Sequence, residues 1–236
     1  MTENLNQFSE VLDNEGEAPE AEVYSRRGRA KVEEAPIQGW LLNLSEFEKP
    51  LDWEKVFGNR NPVEVEIGCG TGLFLAAYAK DHPELNLVGL DKVAGIVLRT
   101  AQKLRKRQLN HVRVLRFEAL YFLEEYIAPE SLNAVHCYYS DPWPKRSHHR
   151  RRVWQPPFLK AAHRSLKPGG LLYMKTDVTD YFEAIQKAFG QCSELFECVE
   201  QHRLDEVPLP GDYDSNFQQK ARVKGHPLYY QIWRKR

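Results

Sequence analysis

From Val63 onward the chain alternates short apolar runs with amphipathic stretches five times in succession, and no other feature constrains its fold as much. The apolar runs fall at about 63–67, 86–91, 112–117, 133–140 and 170–176. Between and after them, 72–80, 94–107, 119–126, 155–166 and 179–189 repeat their apolar residues at helical spacing. Strand followed by helix, five times over, predicts an α/β fold: a doubly wound, mostly parallel sheet with helices on both faces. Two further strands near 195–201 and 228–233 bring the expected sheet to seven, with a Pro/Gly/Asp-rich stretch from Pro208 to Gly225 between them. Sheets of this kind bind ligands outside the carboxyl ends of their strands. Polar residues at those ends are therefore the first candidates for function.

The 236 residues suffice for one such domain, expected over 25–236, preceded by an acidic tail over 1–24 expected to be disordered. The formal net charge is zero, but the charges are segregated. Residues 1–22 hold seven acids and no Lys or Arg; taking those seven from 33 acids leaves 26 against 33 basic residues, so the body carries +7. A basic body implies a polyanionic partner. No apolar run reaches the length of a membrane span and no signal pattern opens the chain, so a cytoplasmic protein without a membrane partner is expected. Cys69, Cys137, Cys192 and Cys198 form no C-x-x-C pair, which predicts neither a zinc site nor a disulfide framework, and no metal.

At the end of the first strand, Val63-Glu64-Val65-Glu66-Ile67, glycines occupy alternate positions 68, 70 and 72. Glycine serves where the backbone takes positive φ or approaches a ligand closely. A nicotinamide-dinucleotide fingerprint requires its third glycine at position 73, where this chain has Leu73. Glu66, just before the turn, is a poor neighbour for a pyrophosphate but suits the cationic end of S-adenosylmethionine. Asp91 ends the second strand, where it could accept hydrogen bonds from ribose hydroxyls, and Glu118 follows the third strand, beside the expected adenine.

The fourth strand runs into Ser140-Asp141-Pro142-Trp143-Pro144-Lys145. Two prolines around a tryptophan deny the loop regular hydrogen bonding and predict a stiff mouth presenting Asp141. Ser147, His148, His149, Arg150, Arg151 and Arg152 follow at once, and Arg99, Lys103, Arg105, Lys106 and Arg107 add a second basic group. Phosphate contacts from such groups position a nucleic acid without reading its sequence.

EIGCGTG (66–72), SDPWPKRSHHRRR (140–152) and KTD (175–177) together resemble the bacterial tRNA (guanine-N7)-methyltransferase family, from Ser25 to the C-terminus. The DPWPK segment with its basic run is the most specific of the three. The resemblance implies a Rossmann-like methyltransferase fold and methyl transfer from S-adenosylmethionine to guanine 46 of the tRNA variable loop. By the same resemblance Glu66, Asp91, Glu118 and Asp141 would bind the cofactor, beside the turn of Gly68, Gly70 and Gly72, with Asp141 also catalytic. Lys145 and Asp177 would meet the target nucleotide, and 147–152 the tRNA, in a monomer or homodimer. The family commonly has Glu where this chain has Asp91, Asp where it has Glu118, and Pro where it has Ser140. Its Thr-x-x-Glu motif falls on Ser215 to Gln218, so Gln218 replaces a carboxylate implied to help hold the target base.

Three other readings compete. An enzyme methylating an exocyclic amine would carry a second proline where Trp143 stands. A non-catalytic RNA-binding paralogue would find its support only in Ser215 to Gln218. A nicotinamide-dependent dehydrogenase is opposed by Leu73 and Glu66.

Overall fold

The computed structural model describes residues 36–205, 212–213 and 216–236, without the side chains of Asn216 and Phe217. The acidic tail, the start of the expected domain and Ser215 lie outside the described residues. In chain order the elements are α1 (Trp53–Phe57), β1 (Val63–Ile67), α2 (Leu73–Asp81), β2 (Asn86–Asp91), α3 (Ala94–Lys106), β3 (Val112–Arg116), α4 (Ala119–Glu125) and β4 (Leu132–Tyr138). A 3-10 turn (Arg146–Arg151), α5 (Pro156–Ser165), β5 (Leu166–Thr176), α6 (Thr179–Gly190), β6 (Phe196–Arg203), α7 (Asn216–Val223) and β7 (Tyr229–Lys235) complete the order.

The seven strands form one sheet in the order β3-β2-β1-β4-β5-β7-β6. Neighbours from β3 through β5 pair parallel, and β7 inserts antiparallel between β5 and β6. The doubly wound expectation therefore stands, and most strand limits agree with the sequence reading to within two residues. Within the Pro/Gly/Asp-rich stretch the chain forms α7, which packs with Ala221 buried against Leu204 and Leu228.

Strand pleating gives the sheet two unlike faces. Val63, Val65 and Ile67 point into the larger core with Val88, Val135, Cys137, Leu172 and Met174, under Phe122, Phe158 and Tyr181. Each fully buried side chain of that size contributes roughly 1.5–3 kcal/mol. Glu64 and Glu66 point to the other face. There, toward β2 and β3, Leu87, Val112 and Val114 pack with Leu75, Ala76 and Leu104 in a second apolar core. Toward β4 and β5 the same face is polar and aromatic, because the register aligns Glu66 with His136 and Tyr173, and Tyr138 with Lys175 and Tyr230.

Candidate active site

The glycine turn is clamped from both neighbouring elements. Gly68 and Cys69 donate their backbone N–H groups to Leu90 O, each at 2.8 Å. Gly70 N donates to Asp91 Oδ2 at 3.1 Å, and Thr100 Oγ1 on α3 donates to Gly70 O at 2.9 Å. Lys103 Nζ donates to Thr71 O. Gly68, Gly70 and Gly72 all have positive φ. At Gly72, which caps α2 with φ 63°, an added Cβ would lie 2.4 Å from Thr100 Cγ2. Conformation and space both require glycine there.

Above this turn two carboxylates stand together. Asp91 is committed on both oxygens, its Oδ1 accepting from Val93 N at 2.9 Å. Glu66 is 5% exposed, and its Oε2 has no hydrogen-bond partner among the described residues. Burial, with repulsion from Asp91 adding to it, pushes the Glu66 carboxyl up to about 8. A buried acceptor left without a donor costs about 1–3 kcal/mol. Such an arrangement suits a cationic ligand group, which would satisfy the orphaned oxygen and ionise the acid. The residues present thus fit the charged end of S-adenosylmethionine.

Glu118 stands two residues past β3, which ends at Arg116, and is also the N-cap of α4: its Oε2 accepts from Tyr121 N at 2.8 Å, and Oε1 lies 3.7 Å from Lys92 Nζ. The cap satisfies an otherwise orphaned helix donor, and the half-exposed carboxylate remains at the rim.

After β4 the chain turns through two strained residues, Tyr139 at φ 49° and Trp143 at φ 43°. Backbone strain of this kind persists where the surroundings impose it, and it clusters at functional sites. Tyr139 is held by Lys175 O and Gln218, and the loop beyond it by Arg152. Expected to contact RNA, Arg152 is instead buried at 6% exposure. Its Nε donates to Pro142 O at 2.7 Å, one guanidinium nitrogen donates to Asp180 at 3.0 Å, and the group lies over the Tyr181 ring at 4.8 Å. Arg152 ties the loop to α6. Asp141 is left exposed at the mouth, as are Lys145, Ser147, Arg150 and Arg151, while His148 and His149 are half-buried. The Trp143 ring is flanked by Arg151 at 4.9 Å and edge-on by His148 at 5.7 Å.

The strand order lines these groups along one edge of the sheet: Glu118 after β3, Asp91 after β2, the glycine turn after β1, Asp141 after β4 and Asp177 after β5. With strands about 4.8 Å apart, the row extends for about 20 Å. Asp177 is half-buried, its Oδ2 4.0 Å from His226 Nδ1. Gln218 is fully buried, and its Oε1 accepts from the hydroxyl of Tyr139, two residues before Asp141, at 3.1 Å.

Sequence reasoning missed the polar half of the sheet face. Tyr78 Oη donates to Glu64 Oε2 at 3.1 Å, and His136 Nε2 meets the same oxygen at 2.8 Å. A carboxylate only accepts, so Nε2 carries the hydrogen, leaving Nδ1 to the Tyr138 hydroxyl at 2.8 Å. Burial pushes the Tyr138 hydroxyl well up. The available signal was polar residues two apart in three of the strands, β1, β4 and β5: Glu64 and Glu66, His136 and Tyr138, Tyr173 and Lys175. No metal-holding cluster of His, Cys, Asp and Glu occurs among the described residues, and none of their helices is long and apolar enough to cross a membrane.

A seven-stranded sheet in this order, a glycine turn after β1 and carboxylates at the ends of the following strands define a Rossmann-like methyltransferase. Residues 60–231 match the family model described as "Putative methyltransferase". The chain is 36% identical over 200 residues to the tRNA (guanine-N(7)-)-methyltransferase of Geobacter metallireducens, covering 83% of this chain and 92% of that one. It is 31% identical over 177 residues to the protein of the same name from Bacillus subtilis, covering 75% and 82%. The chain belongs to the tRNA (guanine-N7)-methyltransferase family. Solved structures share the fold at low identity: an antibiotic-related methyltransferase (TM-score 0.59, 14% identical, covering 80% of this chain and 97% of that one) and the cyclase SpnF (TM-score 0.51, 14% identical, covering 74% and 75%). A cyclase on this fold shows that the architecture alone does not set the reaction.

Proposed function

We propose that the protein transfers a methyl group from S-adenosylmethionine to N7 of a guanine in tRNA, guanine 46 of the variable loop. The observation that carries the reading is the buried Glu66 Oε2, unpartnered beside Asp91 at the end of β1 and one strand from the exposed Asp141. The bound cofactor supplies an electrophilic methyl on a positively charged sulfur. Glu66 and Asp91 hold its charged and hydroxyl groups, and the three glycines let the backbone approach it.

Guanine N7 carries a free lone pair, so no general base is required. The protein's work is to align the reacting atoms and to stabilise the charge that moves onto the purine. Asp141, one strand from Glu66, is the carboxylate for that charge. Arg152 holds its loop still from behind. Lys145, Arg150 and Arg151 meet phosphates at the mouth beside Trp143, and the target base leaves its helix to reach the site.

Incubation with labelled S-adenosylmethionine and unmodified tRNA, followed by digestion and mapping of the label, tests the reading. N7-methylguanine in the variable loop is expected; label on an exocyclic amine, or none, overturns it. Asp141→Ala is expected to abolish transfer with the fold intact, and near-normal turnover removes Asp141 from the mechanism.

A further inference from the structure

Next to the cofactor turn, on the polar half of the sheet face, lies a cavity of about 270 Å³. Its walls are mostly aromatic, with Phe74 and Tyr78 from α2, Tyr138 from the end of β4, Tyr173 from β5, Tyr230 from β7, and Tyr213, and His136 and Glu200 line it as well. Tyr213 packs edge-on against Phe74 at 5.6 Å and Tyr78 at 5.3 Å. Lys175 and Asp212 also face the cavity and pair with each other, their side chains only 4% and 11% exposed. The Lys175 ammonium lies 5.0 Å from the Tyr138 ring centre and 5.3 Å from that of Tyr230.

A buried ion pair is weak evidence for a stabilising role, since desolvation offsets much of its attraction. This pair opens onto a space walled by flat π surfaces, which is what a nucleobase requires. Its polarity is specific. Guanine presents two donors, N1–H and N2–H, beside one acceptor, O6, on its Watson–Crick edge. A carboxylate beside an ammonium complements that edge, and N7 lies on the base's other edge, free of those contacts. The carboxylate has capacity left after meeting Lys175 and Gln218.

We infer that this cavity is the pocket for the target guanine, with Asp212 accepting from N1–H and N2–H and Lys175 donating to O6. The inference rests on the guanine-N7 reading above and assigns the base contact to residues outside that reading. It also gives Gln218 a different task. Gln218 Nε2 donates to Asp212 Oδ2 while its Oε1 accepts from Tyr139, so the amide orients the carboxylate and is a positioning residue. A carboxylate at 218 would repel Asp212 and remove that donor.

The test compares tRNA transcripts carrying guanosine or inosine, which lacks the N2 amino group, at the target position. The wild-type protein is expected to use inosine about 10- to 100-fold less well in kcat/KM, the range for a lost base-edge contact. Asp212→Asn is expected to lower kcat/KM for guanosine and to shrink the discrimination to within about threefold, since the amide offers only one acceptor oxygen. Its affinity for S-adenosylmethionine, by calorimetry, stays unchanged. Gln218→Glu is expected to weaken methyl transfer about tenfold; were position 218 itself the base contact, a carboxylate there would strengthen it. Equal use of both transcripts by the wild type, retained discrimination in Asp212→Asn, or a gain in Gln218→Glu overturns the assignment. Should Asp212→Asn fail to fold, the other two comparisons decide. A wild-type product other than N7-methylguanine overturns the function reading as well, whereas N7-methylguanine formed without discrimination overturns only the pocket.

Discussion

Replacing Glu66 by Gln keeps the shape of the side chain and removes the charge at the proposed cofactor site. In the wild type the carboxyl sits at about 8, raised from 4.5 by burial and by Asp91. The sign follows from proton counting. Between those values the folded protein keeps the proton and the unfolded chain has lost it, so the folded state gains most at low pH and stability falls as pH rises toward 8. At about 1.4 kcal/mol per pH unit, the loss by pH 7 is roughly 3 kcal/mol, and it levels off near 5 kcal/mol above pH 8. Urea denaturation across pH 5 to 9 is expected to show this decline in the wild type and to lose that slope in Glu66→Gln. Binding a cation ionises the acid, so calorimetry near pH 7 in two buffers of different ionisation enthalpy is expected to register release of about one proton with S-adenosylmethionine. In the variant the release disappears and affinity falls about 10- to 100-fold, as for loss of a hydrogen bond to a charged group. Equal affinity with equal proton release in the variant would refute the assignment of Glu66 to the cation, whatever the stability data show.

Three further outcomes follow from the same geometry. Gly72→Ala sets a Cβ 2.4 Å from Thr100 Cγ2 at a positive φ, and is expected to lower stability by about 1–3 kcal/mol and to abolish cofactor binding, checked by thermal melts and calorimetry. Arg152→Ala frees the loop at Pro142 and leaves its carbonyl unpartnered by Arg152; a drop of about 1–3 kcal/mol in stability and a fall in kcat exceeding any rise in the KM for tRNA are expected from melts and steady-state kinetics. Neutralising Arg150 and Arg151 together is expected to reduce the salt slope of tRNA binding by roughly 0.7–0.9 per lost phosphate contact, and an unchanged slope in a filter-binding titration would return both to ordinary surface.

Much of the site was legible from the chain because its signals are local. The glycine turn lies within seven residues, and each key acid stands at the end of a strand whose limits the apolar periodicity marks. Arg152 shows where that reasoning stops. Read as part of a basic run, Arg152 belongs on the surface; it turns inward because Pro142 O, Asp180 and the Tyr181 ring converge on it from segments 10 to 29 positions away. No local pattern distinguishes it from Arg150 and Arg151.

The sequence by itself determined the alternation of strand and helix, the parallel core of the sheet and the turn at Glu66 to Gly72, since each depends on residues near one another in the chain. Only the tertiary structure decided which polar groups share one face. The pairing of β4 with β1 and β5, and the antiparallel insertion of β7, set His136, Tyr138, Tyr173, Lys175 and Tyr230 in register. The same packing brought Asp212 and Gln218 to Lys175 and Tyr139 across 37 and 79 positions of sequence. A carboxylate absent from position 218 is a deficit when the chain is read as a string. In the folded protein a carboxylate stands beside it, because a buried ammonium and an amide both require an acceptor there.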